Sequence, residues 1–294
     1  IKIDLYRSDS KLFVLPFSEP ATCKIAEKRR EELAEKALDC EWLYRLNEPN
    51  VLVLDYAAWK IRNGCWNDKE QILKIDQKVR NYTGLTLRSG TMSQPWAKSD
   101  SYCLEPPIEL KFSFIINKIP DDDLKLAIED PEQFEITING YRLENSANGY
   151  WVDRSIATLP VSMDLLKLDE NVIHLKTTYS ERVNIESRFL LGNFAVNPGP
   201  KGFCIGQFKD TLQIGDWVQQ GLLFYAGNVT YRTTLELKEN LYDKVILELP
   251  EFGGALAKIY IDDRLIKNLP WPPYSADISR YLFHDKHKLE IEIC

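Results

Sequence analysis

Along most of this chain hydrophobic and polar residues alternate with a period of two, the pattern of half-buried β-strands. Ile108, Leu110, Phe112, Phe114 and Ile116 alternate with Glu109, Lys111 and Ser113, and Val229, Tyr231, Thr233, Leu235 and Leu237 alternate with Thr230, Arg232, Thr234, Glu236 and Lys238. The second run lies 121 residues after the first, and the next strand starts, Leu124 and Val245, keep that offset. Phe134, Ile136 and Ile138 then run into Asn139-Gly140, while Ala257, Ile259 and Ile261 run into Asp262-Asp263. Both read as hairpins, and Asn-Gly is the stronger two-residue turn because both central residues need positive φ. Aromatic residues follow (Tyr150 and Trp151; Trp271 and Tyr274), then Ile156 or Ile278, Leu166 or Leu282, and a closing strand through Ile173 and Leu175 or Leu289, Ile291 and Ile293. The same element order twice predicts two copies of one module.

Helical periodicity is confined to two places. Residues 21–38 are rich in Ala, Glu, Lys and Arg, with Glu32 and Lys36 at a favourable i, i+4 spacing and only a thin apolar stripe, so they predict a linker helix. Residues 68–83 predict a second helix with Asn67 as N-cap, Glu70 completing a capping box, Ile72, Ile75 and Val79 on a buried face, and Gly84 as the stop. The run VLVLDYAAWKI from Val51 reads as one continuous strand. The fold class expected is therefore all-β: two jelly-roll β-sandwiches in tandem, with a short helical linker and one helical insertion. The expected division is 1–38, the end of a preceding β domain plus the linker; 39–197, a diverged sandwich with the insertion; and 198–294, a second sandwich, with Asn197-Pro198-Gly199-Pro200 at the join.

Bulk properties narrow the function classes. Length suggests about two domains, and the opening at Ile1, without Met and in a strand-like stretch, reads as a piece of a longer protein. A net charge of −7 argues against nucleic acid or an anionic membrane as partner. No apolar run approaches the ~18 residues of a membrane span, and the compartment is left open. Cys23, Cys40, Cys65, Cys103, Cys204 and Cys294 show no C-x-x-C spacing, which favours buried free thiols over a zinc site.

The second copy then shows a specific pattern. Gly215-Asp216-Trp217, the run Tyr225-Ala226-Gly227-Asn228-Val229-Thr230-Tyr231-Arg232, the hairpin from Ala257 to Arg264, the loop Trp271-Pro272-Pro273-Tyr274, Asp277-Ile278 and the ending Leu289-Glu290-Ile291 follow one another in order. This resembles the galactose-binding-like jelly-roll, the "sugar-binding" domain of glycoside hydrolase family 2 and a C-terminal module of family 106 rhamnosidase-like proteins. Residues 40–197 resemble it more loosely, and Asp262-Asp263 departs from the usual Asn-Gly. The resemblance implies a non-catalytic, C-terminal accessory region of a glycoside hydrolase, with the catalytic domain of the same parent chain and an oligo- or polysaccharide as partners.

Candidate chemistry follows from residue type. A glycosidase needs two carboxylates flanking a sugar subsite, and none of Asp216, Glu251, Asp262, Asp263 or Glu170 stands in such a context. His174, His284 and His287 accompany no G-x-S-x-G nucleophile motif, so no catalytic residues are expected. Sugar rings present a C–H face that stacks on exposed aromatics, with polar groups fixing the hydroxyls. Trp271, Tyr274, Tyr225 and Arg232 are the candidates for carbohydrate contact; the alternative is that they pack in a core or against a neighbouring domain. No cofactor is expected. Asp121-Asp122-Asp123 leaves a structural calcium ion and a solvated loop as its two readings. The competing functional reading is a purely structural or protein-interaction pair of sandwiches without a ligand.

Overall fold

The computed structural model describes residues 34–38, 41–88, 107–200, 202–237 and 242–294. The chain is all-β, with one α-helix among the described residues. The elements up to the end of the first repeat are β1 (Glu41–Leu46), β2 (Asn50–Leu54), β3 (Tyr56–Ile61), β4 (Asn67–Gln71), α1 (Ile72–Thr83), β5 (Pro107–Ile116), β6 (Leu124–Glu129), β7 (Glu135–Ile138), β8 (Tyr141–Arg142), β9 (Tyr150–Trp151), β10 (Asp153–Val161) and β11 (Asp169–Thr178). They continue as β12 (Arg188–Gly192), β13 (Ala195–Gly199), β14 (Gly202–Gly206), β15 (Thr211–Gln213), β16 (Val229–Glu236), β17 (Ile246–Glu248), β18 (Ala257–Ile261), β19 (Arg264–Leu269), β20 (Ser275–Asp277) and β21 (Lys286–Ile293).

Two compact units form. The larger comprises Glu48–Lys209 and Asp216–Ala226. It is a sandwich of an eight-stranded sheet, β13-β14-β5-β11-β7-β8 with β3 paired to β5 and β4 to β3, and a five-stranded sheet, β2-β12-β6-β10-β9. Alternation puts Phe112, Phe114, Ile136, Ile173 and Leu175 of the first sheet and Leu52, Leu126, Leu159 and Leu190 of the second into one buried cluster. The smaller unit contains the described residues up to Asn47 together with Asp210–Gly215 and Gly227–Cys294. Its six-stranded sheet runs β15-β1-β16-β21-β18-β19, and β17 pairs with β20. Trp42, Val229, Tyr231, Ile259, Leu289 and Ile291 are buried there, with Trp42 edge-on to Tyr231 at 6.3 Å.

The internal repeat is visible as topology. The order β5-β11-β7-β8 in the larger unit recurs as β16-β21-β18-β19 in the smaller, and the pair β6-β10 recurs as β17-β20. Both hairpin turns have two consecutive residues at positive φ: 53° and 87° at Asn139 and Gly140, 48° and 65° at Asp262 and Asp263.

Several local expectations change. Asn67 does not cap a helix: its side chain donates to the carbonyl of Trp59 in the β3–β4 hairpin, and residues 67–71 are strand. The helix starts at Ile72, where the Gln71 side chain accepts from the amides of Leu73 and Lys74; Gly84 ends it at φ 74°, as expected. VLVLDYAAWKI breaks at Asp55, so that β2 and β3 lie in different sheets of the larger unit. The stretch 197–200 is no break between modules, since Asn197, Pro198 and Gly199 belong to β13, which pairs with β14. The division consequently differs from 39–197 and 198–294: β1 pairs with β15 and β16 of the smaller unit. The linker helix expected over 21–38 falls largely outside the described residues, and 34–38 carry no regular structure. Cys204 is buried, whereas Cys65 is exposed and Cys294 half-buried; Cys23, Cys40 and Cys103 lie outside the described residues.

Candidate functional site

The four expected contact residues do not form one group. Trp271 and Tyr274 share the loop between β19 and β20 of the smaller unit, where Ser275 N donates to Pro273 O and Leu249 N to Tyr274 O, both at 2.8 Å. Trp271 is 52% exposed. Tyr274 is half-buried, its ring 4.6 Å from that of Phe252 at 50°.

Arg232 lies on β16 of the same unit, opposite Glu290 of β21. Its Nε and Nη2 reach Glu290 Oε1 at 2.9 and 2.8 Å, and Lys288 Nζ joins that oxygen at 3.2 Å. One strand step away, Glu292 receives Lys258 Nζ and the Tyr260 hydroxyl, each at 3.1 Å, with Asn47 and Asn228 at 3.3 Å. Burial pushes the Glu292 carboxyl up, but the hydrogen bonds from Lys258 and Tyr260 outweigh it and hold the group below its ordinary range. Tyr225 belongs to the larger unit, where its hydroxyl donates to Glu48 Oε2 at 2.9 Å and its ring lies 6.4 Å from Trp217.

A second constellation escaped the sequence reading. The turn after β3 brings Trp66 back over the polar face of the eight-stranded sheet, with its centroid 4.1 Å from Lys111 Nζ, 5.1 Å from Lys60 Nζ and 5.9 Å from the ring of His174. Glu109, across the strands, takes Lys60 at 3.0 Å and His174 Nε2 at 2.9 Å. Burial raises the Glu109 carboxyl, and the bonds from Lys60 and His174 more than reverse this. Alternation alone places Glu109, Lys111 and His174 on one face; the return of Trp66 depends on the β3–β4 turn and had no sequence signal.

Other charged groups are bound into the sandwiches. Asp76, Arg80 and Tyr179 form a buried network, and Arg188, fully buried, donates to the carbonyls of Asn184, Glu186 and Ser187. Burial lowers the Arg188 guanidinium to about 10. Asp121, Asp122 and Asp123 are exposed, and Asp123 accepts from Met163 N at 3.2 Å. Among the described residues no three His, Cys, Asp or Glu side chains are arranged to hold a metal ion.

No protein-family model and no curated protein matches the chain. Among solved structures it is similar to a rhamnosidase from Novosphingobium sp. PP1Y (16% identity, 64% of this chain and 17% of that one, TM-score 0.25). It is also similar to a glycosyl hydrolase family 2 member from Bacteroides cellulosilyticus DSM 14838 (11% identity, 83% and 31% covered, TM-score 0.29). A third is a β-D-mannosidase from Dictyoglomus thermophilum (13% identity, 83% and 31% covered, TM-score 0.31). The chain spans less than a third of the length of each of these three proteins, and a likeness of this size carries no argument about activity.

Proposed function

We propose that this chain is a non-catalytic accessory region of a glycoside hydrolase, a pair of jelly-roll sandwiches of the galactose-binding-like kind that supports the catalytic domain of its parent protein and contacts carbohydrate. The reading rests on the sequence pattern from Gly215 to Ile291 together with one observation, the 52% exposure of Trp271 in a proline-flanked loop. A buried indole there would have served packing alone. An exposed one offers a flat surface with little conformational entropy to lose, and the Tyr274–Phe252 pair supports the loop that carries it.

Arg232 and Tyr225 favour the scaffold component of the proposal. Arg232 is committed to Glu290, and Tyr225 to Glu48. In this reading the sugar contact centres on Trp271 and Tyr274, while Arg232 and Tyr225 hold their own units in shape.

Calorimetric titration of a panel of neutral oligosaccharides into the chain and into its Trp271→Ala variant tests the proposal. Binding by the parent chain that is lost in the variant is expected. Binding unaffected by the substitution moves the site elsewhere, and binding by neither protein leaves the structural pair of sandwiches as the function.

A further inference from the structure

The repeat allows one position to be compared on two sheets. In the smaller unit Arg232 of β16 lies opposite Glu290 of β21, which closes on it as an ion pair. The corresponding position of β5 is Lys111, and opposite it on β11 stands His174, not an acid. Among the described residues no carboxylate pairs with Lys111, and its ammonium rests 4.1 Å from the centroid of Trp66. Lys60 also borders that ring, at 5.1 Å. Glu109, which stands on the same face of β5, is already engaged by Lys60 and His174. A chain of net charge −7 thus gathers two lysines and a histidine around one half-open tryptophan, with Glu109 paired to Lys60 and His174 but not to Lys111.

We infer that this face of the larger unit binds a saccharide bearing a carboxylate, through Trp66, Lys111 and Lys60. The chemistry of each group fits such a ligand. A uronic acid has an apolar C–H face for the indole and an anionic group for an ammonium. Lys111 is half-buried, and its contact with the ring is a cation–π one, which a carboxylate can offset. Glu109 and His174, held together at 2.9 Å beside this ring, add an acceptor and an imidazole to the polar groups available to sugar hydroxyls. This surface belongs to the larger unit and the Trp271 loop to the smaller, and the inference stands or falls independently of that loop.

The test is calorimetric titration of the chain with a galacturonic acid trisaccharide, with the matching neutral galactose trisaccharide, and with sodium acetate as a bare carboxylate. Variants are Lys111→Gln, Trp66→Ala and Trp271→Ala, each checked for an unchanged thermal transition. The acidic trisaccharide should bind about tenfold or more tightly than the neutral one, and Lys111→Gln should lose about that factor. Trp271→Ala should leave this binding unchanged. Lys111→Gln changes only the head group of a half-buried side chain, so its result stands even if Trp66→Ala fails to fold. Equal affinity for the neutral sugar, acetate binding as tightly as the trisaccharide, full binding by Lys111→Gln, or no binding at all would each overturn the inference.

Discussion

Asp262 clasps Lys288 at two points: its amide donates to the Lys288 carbonyl at 2.9 Å, and its Oδ1 accepts from the Lys288 amide at 2.8 Å. Asn139 does the same with Val172 in the larger unit, at 2.9 and 3.0 Å. A short polar side chain at the first turn position therefore ties each hairpin to the closing strand beside it, and Asp serves as well as Asn. Asn139 adds donations to Leu165 O and Asn171 Oδ1, both 2.8 Å. Asn139→Ala strands a backbone amide and puts a Cβ-bearing residue without a local partner at φ 53°, so it should cost about 2–4 kcal/mol. Asp262→Ala, at a half-open site, should cost about 1–2 kcal/mol. Urea unfolding midpoints of the two variants measure both, and equal midpoints for variant and parent would remove the clasp from the account.

Acid should loosen the smaller unit through the same residue. The hydrogen bond from His287 holds the Asp262 carboxyl below its ordinary range, aided by the Lys288 amide. A carboxyl depressed in the folded state contributes stability that is present above its unfolded value, ~3.9, and is lost as pH falls through the folded one. The stability gap between the parent chain and Asp262→Asn should accordingly be full at about pH 5 and narrow steadily below about pH 4. Unfolding midpoints across that range check it; a gap that widens on acidification would contradict the sign.

Asp76 anchors α1 to the core of the larger unit by accepting from the Tyr179 hydroxyl at 2.7 Å and from Arg80 Nε at 3.0 Å, with Arg88 at 3.4 Å. Burial and the Asp76 charge push the Tyr179 hydroxyl above its ordinary range. Asp76→Ala leaves the Arg80 guanidinium buried and uncompensated and should cost about 3–5 kcal/mol, whereas Tyr179→Phe should cost about 1–2 kcal/mol. In an ultraviolet titration of the folded protein, the Tyr179→Phe variant should show the same phenolate signal as the parent chain up to about pH 11.

Much of this architecture was legible because it is local. Strand alternation, the Asn-Gly turn and Gly84 each act within a few residues, and the repeat is a comparison of such local patterns. The misplaced start of α1 shows the limit: Asn67 and Glu70 satisfy a capping rule, but pairing of β4 with β3 takes those residues first. The break at Asp55 is likewise set from afar, by Ser187 Oγ donating to its carboxylate at 2.7 Å and by two different sheets claiming its flanks. At the candidate sites, residue type singled out Trp271 as a candidate, but the closure of Arg232 by Glu290 and the return of Trp66 over Lys111 are contacts between distant segments that no window of sequence contains.

The place of β1 has a practical outcome for dissecting the chain. Residues 198–294 expressed alone lack Glu41–Leu46, so the edge of β16 from Val229 to Arg232 loses its partner and Trp42 is missing beside Tyr231. This piece should aggregate or melt lower than one in which residues 41–47 are joined by a linker to 210–294. Size-exclusion chromatography and a thermal melt of the two pieces decide it, and equal behaviour would show that β1 is dispensable.

The same nesting sets an order of events on the ribosome. Because β1 precedes the whole larger unit and β16 follows it, the smaller sandwich can close only after the larger one has been synthesised in full. Until then β1 is a nascent strand without its partners β15 and β16, and Trp42 without Tyr231. Insertions into the larger unit lengthen that wait, while leaving the finished pairing of β1 with β16 unaltered.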